Sequence, residues 1–101
     1  NKRKKIEYDF YVDVYSFGCV LYEIMASKEL YEELKGSKEV ADFVLNGQRE
    51  ELPAVCIDAL SIPNSYCSLM NQCWSQYPLQ RPHFKDIIVR LQNIAKQTKL
   101  N

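Results

Sequence analysis

The stretch Val12-Asp13-Val14-Tyr15-Ser16-Phe17-Gly18-Cys19-Val20-Leu21-Tyr22-Glu23-Ile24-Met25-Ala26 constrains the fold more than any other part of the chain. Apolar residues fill almost every azimuth of a helix, and only Asp13, Ser16 and Glu23 interrupt them. The run is too long for a strand, which usually spans four to eight residues, so it reads as a helix. A helix apolar all round is a central, buried one. At 1.5 Å per residue it would be about 22 Å long. Asp13 stands near its start, where a carboxylate caps free N–H groups and meets the positive end of the dipole.

Three further helices suggest themselves around it. Ser37 is a candidate N-cap for a helix carrying Val40, Phe43 and Val44, and Asn46-Gly47 supplies the stop. From Asn64 to about Trp74 a helix buries Leu69, Met70, Cys73 and Trp74, with Asn64 or Ser65 as its cap. Pro82 fits the first position of a last helix, because its missing N–H costs nothing there. Behind it Phe84, Ile87, Ile88, Leu91, Ile94 and Ala95 form an amphipathic stripe. The remaining segments read as connections: 1–11 as loop, the charged stretch Ser27 to Gly36 as a short helical turn or structured loop, and 48–62 as a long connector bracketed by Pro53 and Pro63. The fold class expected is therefore all-α, with about four helices around a central apolar one.

Charge and cysteine usage narrow the function classes. Thirteen basic residues balance thirteen acidic ones, which argues against a nucleic-acid binder. The one basic cluster, Lys2-Arg3-Lys4-Lys5, reads as solvated loop. Cys19, Cys56, Cys67 and Cys73 form no C-x-x-C pair, and the only histidine is His83, so the spacing does not suit zinc. Cys19 and Cys73 fall inside apolar helical patterns, as free buried thiols do, which favours a reduced, cytoplasmic chain. No apolar run reaches the roughly eighteen residues of a membrane span.

Two motifs carry a resemblance. Asp13-Val14-Tyr15-Ser16-Phe17-Gly18, followed by Cys19-Val20-Leu21-Tyr22-Glu23-Ile24, resembles the central C-lobe helix of protein kinases. Leu69-Met70-Asn71-Gln72-Cys73-Trp74 and then Gln80-Arg81-Pro82-His83-Phe84 resemble the same family's later helices, in the expected order. The match covers about residues 12 to 92 and is closest to the tyrosine kinases and the tyrosine-kinase-like serine/threonine kinases. The organisation it implies is a loop after the activation segment at 1–11, part of a kinase C-lobe at 12–95, and a tail at 96–101. The family's glycine-rich loop, strand lysine, His-Arg-Asp and Asp-Phe-Gly do not occur in the chain. Nor does the Ala-Pro-Glu that belongs just before or around Asn1. Catalytic, cofactor and metal residues are accordingly expected to be none here, with ATP and magnesium used by a longer parent.

The resemblance also implies roles. The aspartate matching Asp13 holds the catalytic loop on the central helix; the plainer reading is an N-cap. Val20 and Ile24 match positions that anchor the hydrophobic columns between the lobes, and plain core is the alternative; both readings bury them. Trp74 matches a buried C-lobe tryptophan. Arg81 matches the arginine that pairs with the glutamate of Ala-Pro-Glu, so in this chain it should reach solvent, another carboxylate or a deformed region. Tyr31, Leu34 and Phe43 fall in a region that some kinases use to dock substrates and regulators, though ordinary packing also explains them. Glu23 sometimes faces the substrate groove, with a solvated glutamate as the alternative, and His83 is not expected to bind metal. The partners expected are the rest of the kinase domain and a protein substrate or regulator. A non-catalytic, pseudokinase-like interaction module is the competing function. The apolar central helix, short of its cover, predicts self-association or domain swapping.

Overall fold

A computed structural model describes the backbone of residues 2–99 and the side chains of residues 10–97. It contains five α-helices and, among the described residues, no strand: α1 (Lys2–Ala26), α2 (Gly36–Leu45), α3 (Ala54–Leu60), α4 (Asn64–Cys73) and α5 (Phe84–Lys99). A short 3-10 turn at Pro78–Gln80 precedes α5. The all-α expectation holds, and α3 lies in the stretch read as a connector.

The central helix is longer than expected. α1 runs for 25 residues and includes 2–11, which the sequence reading placed in a loop. Residues 2–11 contain neither glycine nor proline. Extending an existing helix adds a hydrogen bond per residue without a new nucleus, so nothing local stops it. Asp13 consequently lies inside α1 and does not cap it. The proposed tail likewise continues α5 to Lys99.

Helix boundaries elsewhere move by a residue or two. Lys35 precedes α2, so Ser37 lies inside the helix rather than capping it. The Lys35 amide instead donates to the Glu39 carboxylate at 2.8 Å. Pro63 precedes α4 in an extended conformation, and neither Asn64 nor Ser65 caps it. The α5 turn opens after His83, whose carbonyl accepts from the amides of Asp86 and Ile87. Pro82 therefore stands just outside the helix instead of at its first position. The connector 48–62 hides α3, seven residues long, which ends on Ser61 in a left-handed conformation. A segment that short, apolar everywhere but Asp58, has neither the length nor the polar contrast to show a period.

α1 packs against α3 and α4, and α5 packs against α4, with Phe84 at its start meeting Phe17 of α1 at 5.8 Å between ring centres. The core they share holds Val14, Leu21, Tyr22, Leu69, Met70, Cys73, Trp74, Ile87 and Ile94. Gly18 is the point of closest approach. A Cβ there would stand 3.0 Å from both the Cys73 Cβ and the Trp74 backbone nitrogen. Only the missing side chain lets the two helices touch. The Tyr66 hydroxyl then donates to the Leu21 carbonyl at 2.7 Å, a buried tie between α4 and α1.

Candidate functional site

α1 is covered on only part of its circumference. Val14, Gly18, Leu21, Tyr22 and Ala26 are buried, whereas Val12, Asp13, Ser16, Val20, Glu23 and Ile24 are exposed. At 3.6 residues per turn the exposed set falls within a sector of about 120°. Val20 is 49% exposed and Ile24 59%. The expectation that both are buried is therefore corrected: nothing among the described residues covers that side of the helix. Three of the five residues singled out for support, Asp13, Val20 and Ile24, lie together on this open face. The Asp13 side chain makes no hydrogen bond or ion pair with another described residue. Glu23 shares the sector.

The other two, Trp74 and Arg81, lie at the end of α4. Trp74 is 1% exposed and packs against Tyr22 with ring centres 5.7 Å apart. Its indole N–H donates to the Asn71 side chain at 3.2 Å. Arg81 finds no carboxylate among the described residues. Its Nε donates to the Ser75 carbonyl at 2.9 Å and its Nη1 to the Tyr11 carbonyl at 2.8 Å. The guanidinium carbon stands 5.0 Å from the centre of the Tyr15 ring. Burial pulls its pKa below the ordinary arginine value, with the nearby Arg49 adding to the effect. The side chain nevertheless stays charged.

Arg49 is the matching half of this arrangement, and sequence reasoning missed it. Its Nε donates to the Trp74 carbonyl at 2.8 Å, its Nη1 to the carbonyls of Gln48 and Val44, and its guanidinium carbon lies 5.4 Å from the Tyr15 ring centre. The ends of α2 and α4 supply partial negative charge, so helix dipoles and an aromatic face hold both cations. His83 is exposed, and its ring meets that of Phe10 in a tilted pair with centres 4.8 Å apart.

A second cluster forms where the charged turn meets α2. Glu50 accepts a hydrogen bond from the Tyr22 hydroxyl and one from the Tyr31 amide, each at 2.6 Å. Burial, and then the Glu50 carboxylate, raise the Tyr22 phenol well above its ordinary pKa. Tyr31 takes a left-handed backbone conformation, φ 61°, and its ring meets Phe43 edge-on at 6.0 Å. Its hydroxyl is buried and has no partner at bonding distance among the described residues. Leu34 and Phe43 join Tyr22 and Glu50 around an open cleft of about 230 Å3. Of the three predicted docking residues, two line this cleft and Tyr31 braces it. Glu50 escaped sequence reading because it stands in a connector without periodicity. The buried hydroxyl of Tyr22 was the available signal, since a buried phenol needs an acceptor.

Comparison with known proteins decides the family. The family model for protein tyrosine and serine/threonine kinases matches residues 2–91. The chain belongs to the protein kinase family. It is 40% identical over 93 residues to a probable LIM domain-containing serine/threonine-protein kinase of Dictyostelium discoideum, covering 92% of this chain and 13% of that protein. It is 36% identical over 94 residues to the dual specificity protein kinase pyk3 of the same organism, covering 93% of this chain and 7% of that one. A third relative there, the probable inactive serine/threonine-protein kinase roco10, is 33% identical over 94 residues, covering 93% of this chain and 3% of the relative. The chain thus spans a small part of the length of the kinases it matches, and it is a helical portion of a kinase catalytic domain. Within the described residues no helix is long and apolar enough to cross a membrane.

Proposed function

We propose that this chain is the foundation of the C-lobe in a cytoplasmic, tyrosine-kinase-like enzyme that transfers the γ-phosphate of ATP to Ser, Thr or Tyr of proteins with magnesium. The observation that carries the reading is the single open face of α1, on which Asp13, Val20 and Ile24 lie together. A face that mixes apolar side chains with the carboxylates of Asp13 and Glu23 suits a partner that brings both an apolar surface and backbone donors. The catalytic loop and the segments around it would be that partner. Asp13 then holds the loop, Val20 and Ile24 support the hydrophobic columns, Trp74 fixes the base, and Arg81 receives the carboxylate that ends the activation segment.

The chain by itself contains no group that positions ATP, magnesium or an acceptor hydroxyl, and phosphoryl transfer consists largely of such positioning. Isolated, it is therefore inactive. The surface of Tyr31, Leu34 and Phe43 serves as a docking site for a protein substrate or regulator. The test is to assay radiolabelled phosphate transfer by the 101-residue chain and by the longer protein read from the upstream frame. Transfer by the longer protein alone supports the proposal. Saturable, magnesium-dependent nucleotide binding by the chain alone would overturn it.

One observation favours a second reading, a pseudokinase-like interaction module: a relative at 33% identity carries the name of a probable inactive kinase. Loss of His-Arg-Asp or Asp-Phe-Gly from the upstream frame would establish that reading.

A further inference from the structure

The cleft at the start of α2 has a chemical character that a general docking surface need not have. Its lining combines Tyr22, Leu34 and Phe43 with Glu33, Glu50 and Glu51, and Lys28 is the one cation among them. Lys28 pairs with Glu33 at 3.7 Å, which leaves two carboxylates without a countercharge among the described residues. Glu50 differs from a solvated surface glutamate. Two short hydrogen bonds from neutral donors, the Tyr22 hydroxyl and the Tyr31 amide, fix its orientation and leave its charge uncompensated. The volume of about 230 Å3 lies below the roughly 300–1,000 Å3 of small-molecule pockets. It suits one side chain better than a cofactor.

We infer that this cleft receives an arginine side chain from a protein partner, with the guanidinium on Glu50 and Glu51 and the aliphatic stem against Leu34 and Phe43. The inference rests on the docking reading of the same surface and adds the chemistry of what docks. Charge complementarity selects a cation. The mixture of apolar wall and fixed carboxylate selects arginine over lysine, because its planar fork pairs with carboxylates and stacks on aromatic faces while its stem covers apolar surface.

The experiment is an NMR titration of the 15N-labelled chain with acetyl-Leu-Arg-Leu-amide and with the citrulline peptide of the same shape. The arginine peptide should shift the amides of Phe43, Glu50 and Tyr31 and bind several-fold more tightly than its neutral counterpart. Glu51 is exposed, so Glu51→Gln spares the fold. It should weaken the arginine peptide by roughly two- to five-fold and leave the citrulline peptide unchanged. Equal binding of the two peptides at the cleft overturns the inference and leaves the docking reading standing. Shifts from neither peptide remove both.

Discussion

Arg49 and Arg81 donate to consecutive carbonyls at the end of α4, Trp74 at 2.8 Å and Ser75 at 2.9 Å, and both guanidiniums lie over the ring of Tyr15. The two cations thereby join α4 to α1 and to the C-terminal end of α2. The arginine that identifies the family is held without the carboxylate its resemblance implies. Helix-end carbonyls and an aromatic face offset part of the cost of burying it.

Removing the Arg81 fork should therefore destabilise the chain even though it breaks no ion pair. Arg81→Met keeps the stem and deletes two donors and a cation–π contact. A loss of about 1–3 kcal/mol is expected, read as a lower urea midpoint at unchanged slope. An unchanged midpoint would show that the contacts with Ser75, Tyr11 and Tyr15 contribute nothing.

Gly18→Ala tests the α1–α4 contact. The added methyl would meet the Cys73 Cβ and the Trp74 backbone nitrogen at 3.0 Å, and backbone yields less readily than a flexible side chain. Alanine's better helix propensity favours the substitution by up to about 1 kcal/mol. Overpacking costs about 1–3 kcal/mol and should win. Thermal unfolding at a clearly lower temperature is the expected result.

Alkaline pH should weaken the fold through the buried thiol of Cys73 and the half-buried thiol of Cys19. Burial pushes Cys73 up to about 11 and Cys19 likewise to about 11, from an ordinary value of 9.0. Between these values the unfolded state releases thiol protons that the folded state retains. Rising pH thus favours unfolding across about pH 9 to 11, with a ceiling of about 1.4 kcal/mol per pH unit for each group. Stability is level in this respect below about pH 9. Urea midpoints at several pH values should show the decline, and Cys73→Ala should make it shallower. The thiol of Cys73 should also resist alkylation in the folded chain, as a buried neutral thiol does.

The open face of α1 should drive association. Val20 and Ile24 contribute little to the isolated chain's core, so Val20→Ser with Ile24→Ser should change its stability by no more than about 0.5 kcal/mol per site. Sedimentation should show the parent sequence associating as concentration rises and the double variant remaining monomeric. A parent sequence that stays monomeric at high concentration would count against the association. In the longer kinase the same pair should instead destabilise the domain, because there these side chains would be covered.

Much of this architecture is legible in the residues. The apolar run from Val12 to Ala26, the stripe behind Pro82 and the Cys-Trp and Arg-Pro motifs give the helical class and the family. Periodicity survives wherever a helix is long enough to repeat it. It fails at α3, which has only seven residues, and at residues 2–11, where a helix continues without an amphipathic pattern. Ser37 and Asn64 do not cap their helices and Pro82 stands before α5 instead of at its first position, because a polar or proline residue near a boundary signals the boundary but does not fix its register.

The sequence by itself determined what this protein is: a helical part of a kinase domain, with a central helix apolar on every side and no phosphate-transfer motif. Only the tertiary structure decided which sector of that helix stays open, that Arg49 and Arg81 share the end of α4 and the ring of Tyr15, and that Glu50 is fixed by Tyr22 and Tyr31. The reason is physical. Local composition sets helix formation and hydrophobic period, whereas the partners of the Tyr22 hydroxyl, the Tyr66 hydroxyl and the Arg81 Nη1 lie 28, 45 and 70 positions away. Such pairings follow from how the helices pack, and α1 and α4 could pack as they do only because Gly18 lets their backbones meet.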